Sequence, residues 1–275
     1  MAKTLAACLA WAVARSTVDT ARLDAEVLLA HVLDKPRSYI FTWPEKCLNI
    51  EQEKQFEQAW QSYCQGKPLA YIIGTREFWS LQLQVNPSTL IPRPETEQLV
   101  DAVLRDFPAH TPYVVWDAGA GSGAIALALK KERPAWQVYA SDLSLGAAQT
   151  AKTNAQNLKL AIHVLQASWL EAAANESLDI LVSNPPYIAE DDVHLAALTH
   201  EPLSALAAAN NGLSDIEQLC LQAMRVLKPQ AKLYVEHGYQ QQDAVQAVFQ
   251  QRGFLQIQTE KDYAGLPRFS HGVKP

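Results

Sequence analysis

The sequence predicts an α/β fold: a doubly wound, mainly parallel sheet with an antiparallel C-terminal strand, preceded by a small all-α domain and a β-hairpin linker. Three observations predict it. Beyond Pro112, short β-rich runs alternate with helical stretches. Residues 4–73 have helical periodicity interrupted by prolines. A glycine-rich turn joins the first β-rich run to a helix. The predicted domains are 1–73 (helical), 74–93 (linker) and 94–275 (catalytic).

The composition indicates an ordinary globular protein. The 275 residues are 48% hydrophobic and 19% charged, with a net charge of −6, which argues against an extended nucleic-acid surface. No apolar run reaches the roughly 18 residues of a membrane span, and no cleavable leader follows Met1, so we expect a cytoplasmic protein. The four cysteines lack metal-ligand or disulfide spacing. We expect four buried thiols and no metal site.

The first 73 residues predict a bundle of short helices. Asp19 can cap a helix whose apolar face holds Leu23, Val27, Leu28 and Val32. A second amphipathic helix is predicted over residues 51–64. No catalytic constellation occurs in this region.

The next segment predicts a hairpin and then a helix. Apolar residues nearly alternate over residues 77–85, which is typical of strands. Pro94 and the acids after it favour a helix over residues 95–107.

The remaining strands follow in order. They are predicted at 113–116, 138–141, 162–165, 180–183, 233–236 and 255–259. A last strand around Pro267 would form a hairpin at the sheet edge, where a proline is tolerated.

The segment Asp117–Gly123 joins the first strand to a helix and contains three alternating glycines. Glycines let the backbone approach a ligand and present amide N–H groups at a helix N-terminus. Gly119, Gly121 and Ala124 also satisfy a dinucleotide pattern. Asp117 favours a different cofactor, because a carboxylate repels a diphosphate but suits the ammonium group of a methionine-type cofactor.

Asp142 ends the second strand, about one βαβ step after the loop. An acid there can accept hydrogen bonds from both ribose hydroxyls of a nucleoside. Capping of the following helix is the structural alternative. Together with Asp117, it predicts S-adenosylmethionine as cofactor and S-adenosylhomocysteine as product.

The segment Asn184-Pro185-Pro186-Tyr187 follows an apolar strand. The prolines hold the backbone extended, so the Asn184 side chain and the Pro185 carbonyl can face outward as acceptors. Two acceptors that grip the N–H bonds of a planar nitrogen can aim its lone pair at a methyl donor. We predict catalytic roles for Asn184, Pro185 and Tyr187, with Tyr187 as a wall of the substrate slot. A stiff turn is the structural alternative.

These segments resemble the release factor glutamine N5-methyltransferases, also called the PrmC or HemK family. The resemblance runs almost end to end and includes Gly74–Trp79, Leu90–Glu97, Asp117–Gly123, Asn184–Tyr187, Glu201–Leu206 and Glu236–Gly238. It implies a class I S-adenosylmethionine-dependent methyltransferase that acts on the glutamine of the Gly-Gly-Gln motif of class 1 peptide chain release factors.

The resemblance also implies residue roles. Asp117, Gly119, Ala120, Gly121, Ser122, Gly123, Asp142, Trp169 and Asn184 would bind the cofactor, and Asn184, Pro185, Pro186 and Tyr187 the substrate. From the chemistry of the transfer, which needs no acid–base pair, we expect Glu236 and His237 to be structural. We expect Arg93 and Glu95 to organise the linker near the cofactor. Ser168 stands where the family often has Asp, and Thr199-His200 replace an Arg or aromatic pair.

Other functions remain open from the residues alone. The same acceptors suit the N6 of adenine in DNA or the N2 of guanine in RNA, but such enzymes need a basic track. A nicotinamide-dependent dehydrogenase is disfavoured by Asp117. We expect a monomer that contacts neither nucleic acid nor membrane.

Overall fold

The computed structural model describes residues 3–275 and divides into two compact units. One unit ends at Gly74, and the other spans Thr75–Pro275. Each has its own buried apolar core.

The first unit is helical. Its helices are α1 (Leu5–Val13), α2 (Ala21–Leu33), α3 (Arg37–Thr42), α4 (Ile50–Cys64) and α5 (Leu69–Ile73). They enclose a core that includes Leu5, Leu9, Leu28, Leu29, Phe56 and Trp60.

The predicted helices of this unit are present, with one wrong cap. A turn in which the Ala21 N–H donates to the Val18 carbonyl delays α2, so Asp19 does not cap it. The buried face is shifted accordingly: Leu28 is buried, whereas Leu23 is 45% exposed. Helix α4 is confirmed and begins with a reciprocal Asn49–Gln52 capping box, which satisfies two otherwise unpaired N–H groups.

The second unit alternates strands and helices. Its strands are β1 (Thr75–Phe78), β2 (Leu81–Gln84), β3 (Val114–Ala118), β4 (Gln137–Asp142), β5 (His163–Gln166), β6 (Leu178–Ser183), β7 (Ile188–Ala189), β8 (Ala207–Ala208), β9 (Leu227–Glu236), β10 (Leu255–Lys261) and β11 (Pro267–Val273). Its helices are α6 (Glu97–Asp106), α7 (Ala124–Glu132), α8 (Leu145–Leu158), α9 (Ala209–Gly212), α10 (Ser214–Val226) and α11 (Gln242–Gln251). Short 3₁₀ helices lie at Pro94–Thr96, Val193–Ala197 and Leu203–Ala205.

The main sheet has seven strands in the order β10-β11-β9-β6-β3-β4-β5. The pairs from β5 to β9 are parallel, and β11 runs antiparallel to both neighbours. The predicted doubly wound sheet with its antiparallel C-terminal strand is thereby confirmed. Pro267 is the first residue of β11, where a missing N–H disturbs the ladder least.

Two apolar layers cover the sheet, as the alternation of strands and helices predicted. Residues of α6 and α7 and of the hairpin β1–β2 form one buried cluster, and residues of α10 and α11 contribute to the other. The pair β7–β8 is not predicted from the sequence, because two-residue strands are too short to show a periodicity.

The hairpin β1–β2 turns at Trp79 and Ser80, which both have positive φ (53° and 55°). Carboxylates stabilise this turn: Glu77 accepts from the Ser80 N–H at 2.6 Å and Glu97 from the Trp79 N–H at 2.7 Å. Phe78 is buried in the core of the second unit. The hairpin therefore contributes to that core.

Three smaller findings complete the fold. The predicted helix at 95–107 begins as a 3₁₀ turn and becomes α-helical at Glu97. Cys47 and Cys64 are exposed, so the expectation of four buried thiols is wrong for these two. Within residues 3–275, no helix is long and apolar enough to cross a membrane.

Candidate active site

A cavity of about 370 Å³ lies in the second unit, at the carboxyl ends of β3, β4 and β6. The chain continues from β3 to β4 on one side and returns to β6 on the other, and such switch points are where α/β sheets bind ligands. The lining includes the predicted site residues Gly119, Ala120, Gly121, Ser122, Asp142, Trp169, Asn184 and Pro186. Asp117, Gly123 and Pro185 are buried and Tyr187 is half-buried, and none of the four lines the cavity.

The glycine loop has the backbone that its sequence requires. Gly119, Gly121 and Gly123 all have positive φ, at 75°, 56° and 82°. A Cβ at Gly119 would come within 3.1 Å of the Trp169 ring, whereas one at Gly121 would meet nothing within 4 Å. The loop therefore lies against Trp169 at one glycine and leaves open space at the next.

Three amides of this loop are already bonded within the protein, contrary to the expectation from the sequence. The N–H groups of Gly119 and Ala120 donate to the Ser141 carbonyl at 2.8 and 2.9 Å. The Gly121 N–H donates to Asp142 Oδ2 at 2.8 Å. The loop doubles back onto the end of β4, which uses these donors. These three N–H groups are not available to an anion, which disfavours a diphosphate at this part of the loop.

Asp117 is buried at the end of β3, with 1% of its surface exposed. Its Oδ2 accepts from the Ala126 N–H at 3.0 Å, and its Oδ1 has no hydrogen-bond partner among the described residues. Burial raises the pKa of Asp117 to about 7. A buried carboxylate oxygen without a partner is costly and is well suited to a cationic ligand.

Asp142 stands at the end of β4 and lines the cavity. Its two oxygens accept from the N–H groups of Gly121 and Ser144, both at 2.8 Å. The sequence also allowed Asp142 to cap the next helix. Asp142 does accept from the Ser144 N–H, but the side chain that caps α8 is that of Ser144. Each carboxylate oxygen can accept a second hydrogen bond, so two ribose hydroxyls can still be bound. Burial raises the pKa of this carboxyl group.

Trp169 and Ser168 form another part of the cavity wall. The Trp169 carbonyl accepts from the Ser141 hydroxyl at 2.7 Å, which fixes the segment against β4. The indole ring lies over Gly119. This placement suits an aromatic neighbour of an adenine ring.

Asn184 follows β6 and its side chain lines the cavity. The Asn184 Nδ2 donates to the Thr96 hydroxyl oxygen at 3.3 Å. The described residues give Oδ1 no hydrogen bond, so this oxygen remains available as an acceptor. The structure thus supplies one of the two acceptors predicted from the sequence.

The rest of this segment divides between the cavity and the protein interior. Pro186 lines the cavity, and Pro185 is buried. Tyr187 lies against Gly238, and its hydroxyl is 3.5 Å from Glu236 Oε1. Burial raises the pKa of Tyr187. The ring therefore lies beside the cavity surface.

Glu236 and Thr96 are functional candidates that sequence reasoning did not connect with the site. Glu236 is 1% exposed, and burial raises its pKa to about 7, while the nearby Thr96 hydroxyl stabilises its charged form. Thr96 is 4% exposed and lines the cavity. These residues are 140 positions apart in the chain (236 minus 96), so only the fold brings them together.

An ion pair holds another wall in place. Arg93 Nη2 lies 2.5 Å from Glu201 Oε1, and Glu201 Oε2 accepts from the Ile91 N–H at 3.0 Å. Glu201 is 7% exposed. The pair fastens the segment that contains the cavity residues Ser204 and Ala205. Arg93 therefore organises the chain before α6, as the sequence predicted.

His237 has a structural environment. Its Nε2 is 2.9 Å from the Ser270 hydroxyl, its Nδ1 is 2.9 Å from the Gly238 carbonyl oxygen, and its side chain is fully buried. Burial lowers its pKa. The described part of the chain contains no cluster of three or more potential metal ligands.

The cavity fits S-adenosylmethionine. A buried acceptor at Asp117 matches an ammonium group, and acceptors at Asp142 match ribose hydroxyls. Trp169 supplies an aromatic surface next to the glycine loop. The N–H groups of Gly119, Ala120 and Gly121 are already bonded within the protein and are not offered to a diphosphate.

Comparisons with known proteins agree with this assignment. A model described as the PrmC N-terminal domain matches residues 7–74, and one described as a methyltransferase small domain matches residues 96–255. Two solved structures share the fold. A methyltransferase from Pyrococcus furiosus aligns with a TM-score of 0.54 and 16% identity, over 70% of this chain and 89% of that one. The Thermus thermophilus 16S rRNA N2 G1207 methyltransferase, in complex with AdoMet and guanosine, aligns with a TM-score of 0.55 and 16% identity, over 73% of this chain and 50% of that one.

Similarity to curated proteins extends along nearly the whole chain. The release factor glutamine methyltransferase of Shewanella oneidensis is 44% identical over 98% of this chain and 95% of its own length. The protein of the same name from Vibrio cholerae is 47% identical over 94% of this chain and 91% of its own length. The Escherichia coli protein is 42% identical over 92% of this chain and 92% of its own length. The chain belongs to the release factor glutamine methyltransferase family.

Proposed function

We propose that this enzyme transfers a methyl group from S-adenosylmethionine to the side-chain nitrogen (N5) of the glutamine in the Gly-Gly-Gln motif of class 1 peptide chain release factors. The observation that carries the proposal is the Asn184 amide, which lines the cavity with its nitrogen bound to Thr96 and its oxygen available. Family membership over the full chain selects glutamine among planar nitrogens.

The proposed cofactor contacts follow from the site. Asp117 receives the ammonium group of the cofactor through its free Oδ1, and Asp142 receives the ribose hydroxyls. Trp169 packs near the adenine, and the glycine loop, Gly119 to Gly123, borders the methionine part. When bound, S-adenosylmethionine supplies a methyl group on a positively charged sulfur.

The chain's own residues would act mainly by positioning. An amide nitrogen is a poor nucleophile because its lone pair is delocalised into the carbonyl group. Asn184 Oδ1, on the cavity wall, would accept one of its N–H bonds. The Pro185 carbonyl would accept the other, as the sequence predicts. The two contacts would raise electron density on nitrogen and direct the lone pair. The methylated nitrogen becomes strongly acidic while it is cationic, so a strong general base is unnecessary.

The neighbouring residues would shape the slot. Pro186 lines the cavity and restricts the loop conformation. Tyr187 lies next to it, with its hydroxyl at Glu236. We therefore propose that Tyr187 supports the Asn184–Pro186 segment, in addition to its predicted role as a wall of the substrate slot.

The proposal also covers how the release factor docks, the oligomeric state of the enzyme and where it acts. The helical unit that ends at Gly74 would dock the release factor. The enzyme would act as a monomer in the cytoplasm, without direct contact with nucleic acid or membrane. Light scattering of the purified protein, at the concentration used in the activity assay, tests whether it is a monomer. The mass of a dimer would contradict this part of the proposal.

A labelling experiment tests the function. The purified enzyme is incubated with methyl-labelled S-adenosylmethionine and an unmethylated release factor, produced in cells that lack the methylating enzyme. We expect one methyl group on the Gly-Gly-Gln glutamine by tandem mass spectrometry. A release factor with glutamate in place of that glutamine is the matched control and should remain unlabelled. Label on the N6 of adenine or the N2 of guanine in added nucleic acid, with none on the protein, would reject the substrate.

A further inference from the structure

We propose that Gln241 is a positioning residue that holds the main chain at Tyr187 and thereby fixes the whole Asn184–Tyr187 segment beside the cavity. The inference rests on the proposed function, in which that segment grips the nitrogen to be methylated. It assigns a role to a side chain that does not line the cavity and takes no part in the methyl transfer itself.

The side chain of Gln241 joins three separate segments by hydrogen bonds. Its Nε2 donates to the Tyr187 carbonyl at 2.9 Å and to the Asn211 carbonyl at 3.0 Å. Its Oε1 accepts from the Gly238 N–H at 2.8 Å. Both hydrogens of the amide are therefore used on main-chain carbonyl oxygens, and its oxygen is used on a main-chain N–H.

The partners of Gln241 determine the orientation of its amide. Carbonyl oxygens can only accept, and the Gly238 N–H can only donate, so a half-turn of the amide would break all three bonds. The base of the side chain is also fixed. The Gln241 N–H donates to the Gly238 carbonyl at 2.9 Å, and the Gln241 carbonyl accepts from the Val245 N–H of α11 at 2.9 Å.

Two glycines leave the space that this arrangement needs. A Cβ at Gly212 would lie 2.0 Å from the Tyr187 carbonyl oxygen and 2.8 Å from Gln241 Nε2. A Cβ at Gly238 would lie 3.0 Å from Gln241 Oε1. Gly212 also has a φ of 80°, which favours glycine. The main chain therefore packs closely around the Tyr187 carbonyl, and Gln241 supplies the donor there.

The stiffness of the segment transmits this restraint from Tyr187 to Asn184. The two prolines between these residues have fixed φ angles, and each restricts the residue before it. At its other end the segment continues β6, whose last residue, Ser183, donates its hydroxyl to the Ala118 carbonyl at 2.6 Å. A stiff segment that is held at both ends has little freedom. Release at Tyr187 would therefore displace the acceptors that grip the substrate nitrogen.

Two replacements of Gln241 test the proposal by enzyme kinetics. Gln241→Met keeps the length of the side chain and removes all three hydrogen bonds, whereas Gln241→Glu keeps the acceptor and loses both donors. We expect kcat for release factor methylation to fall about tenfold or more in both at pH 8, because a small misplacement of catalytic groups slows the transfer strongly. KM and the affinity for S-adenosylmethionine, measured by calorimetry, should change little.

The pH dependence separates a lost hydrogen bond from a general defect. The carboxyl group introduced by Gln241→Glu faces two carbonyl oxygens, which favour its protonated form, and that form can donate to one of them. Its kcat relative to the wild type should therefore rise as the pH is lowered from 8 to 6, whereas that of Gln241→Met should stay constant. Gln240→Glu, at the exposed neighbouring position, is the matched control and should equal the wild type at each pH.

Other kinetic results would overturn the proposal. Wild-type kcat in Gln241→Met would show that the bond to Tyr187 does not position the segment. A loss confined to KM or to cofactor affinity, or the same pH dependence in both variants, would show that Gln241 only supports the fold.

A measurement without substrate separates this inference from the proposed function. In Gln241→Met, NMR should show a changed carbonyl carbon signal for Tyr187 and changed side-chain amide signals for Asn184. The Gly238 amide signal should change in Gln241→Met but persist in Gln241→Glu, because that variant keeps the acceptor. Unchanged Asn184 signals in Gln241→Met would refute the positioning role even if release factors are methylated. Absence of methylation by the wild type, with the Asn184 change present, would refute only the proposed function.

Discussion

Asn184 is the residue whose replacement tests the proposed chemistry most directly. Asn184→Ala removes the acceptor and leaves the glycine loop, Asp117 and Asp142 intact. We expect turnover to fall at least about 100-fold, as on loss of an electrostatic contact made in the transition state. Cofactor affinity, measured by calorimetry, should change little. A variant with wild-type turnover would show that the Asn184 amide is not the acceptor.

Asp117 gives a pH-dependent prediction. Its pKa is raised from 3.8 to about 7 by burial, so the folded protein holds a proton that the unfolded chain releases. The stability that this proton contributes is complete below about pH 4 and is lost as the pH rises through about 7. Asp117→Asn avoids that loss. It should raise the Tm of the cofactor-free protein more at pH 8 than at pH 5, and should weaken cofactor binding.

The measurement is differential scanning fluorimetry at both pH values. Glu236 also has a raised pKa, but it is present in both proteins, so its own contribution cancels in the difference. Repulsion by Asp142 adds to the raised pKa of Asp117, and the substitution removes it, so it is part of the predicted effect. Asp19→Asn, at an exposed position, is the control and should shift Tm equally at both pH values. If Asp117→Asn shifted the Tm equally at pH 5 and pH 8, this would contradict the raised pKa that burial gives Asp117.

At this scale the sequence predicted the residues that carry local signatures. Asp117 and Asp142 each end a strand, and Asn184 precedes a pair of prolines, so their positions in the fold could be inferred. Thr96 and Glu236 carry no such signature. Thr96 contacts Asn184 and Glu236 contacts Tyr187 only because distant elements end beside each other, and such side-chain pairing is visible only in the folded chain.

The hairpin β1–β2 provides a prediction for an element. Ser80 is exposed and has a φ of 55°, a conformation that costs energy for any residue with a Cβ. Ser80→Gly should therefore stabilise the protein by about 0.5–1 kcal/mol. Chemical denaturation measures this change. Gln55→Gly, within α4, is the opposite case and should destabilise by a similar amount, since glycine weakens a helix interior.

Strand and helix order could be predicted because hydrophobic periodicity is a local property. The exact starts of elements could not. Helix α2 begins after a turn at Val18 that has no strong sequence signal, and the chain before α6 tightens into a 3₁₀ turn at Pro94–Thr96. The turn at Trp79 and Ser80 lacks glycine, and its carboxylate contacts come partly from Glu97, 18 residues away from Trp79.

The whole molecule contains two units with separate cores, which makes the docking role testable. A protein comprising residues 75–275 retains the complete cavity and the core of its unit. We expect it to bind S-adenosylmethionine with unchanged affinity. It should methylate an intact release factor with a KM raised at least about tenfold, because the proposed docking surface is absent.

A short Gly-Gly-Gln peptide is the matched substrate for this comparison. It lacks the rest of the release factor, so the truncated and full-length enzymes should methylate it equally well. An unchanged KM for the intact release factor would exclude docking by the first unit. Loss of cofactor binding would instead show that residues 75–275 need that unit to fold.

The inward-facing amides of the glycine loop have a consequence for redesign of the enzyme. Removal of the negative charge at Asp117 would eliminate repulsion of a diphosphate but would not create a site for one. The N–H groups of Gly119 and Ala120 would still be bound to Ser141, and that of Gly121 to Asp142. To offer these three donors to a dinucleotide, the main chain between β3 and α7 would have to take a new path. Part of the preference for one cofactor therefore lies in the main chain, which a side-chain substitution at Asp117 leaves unchanged.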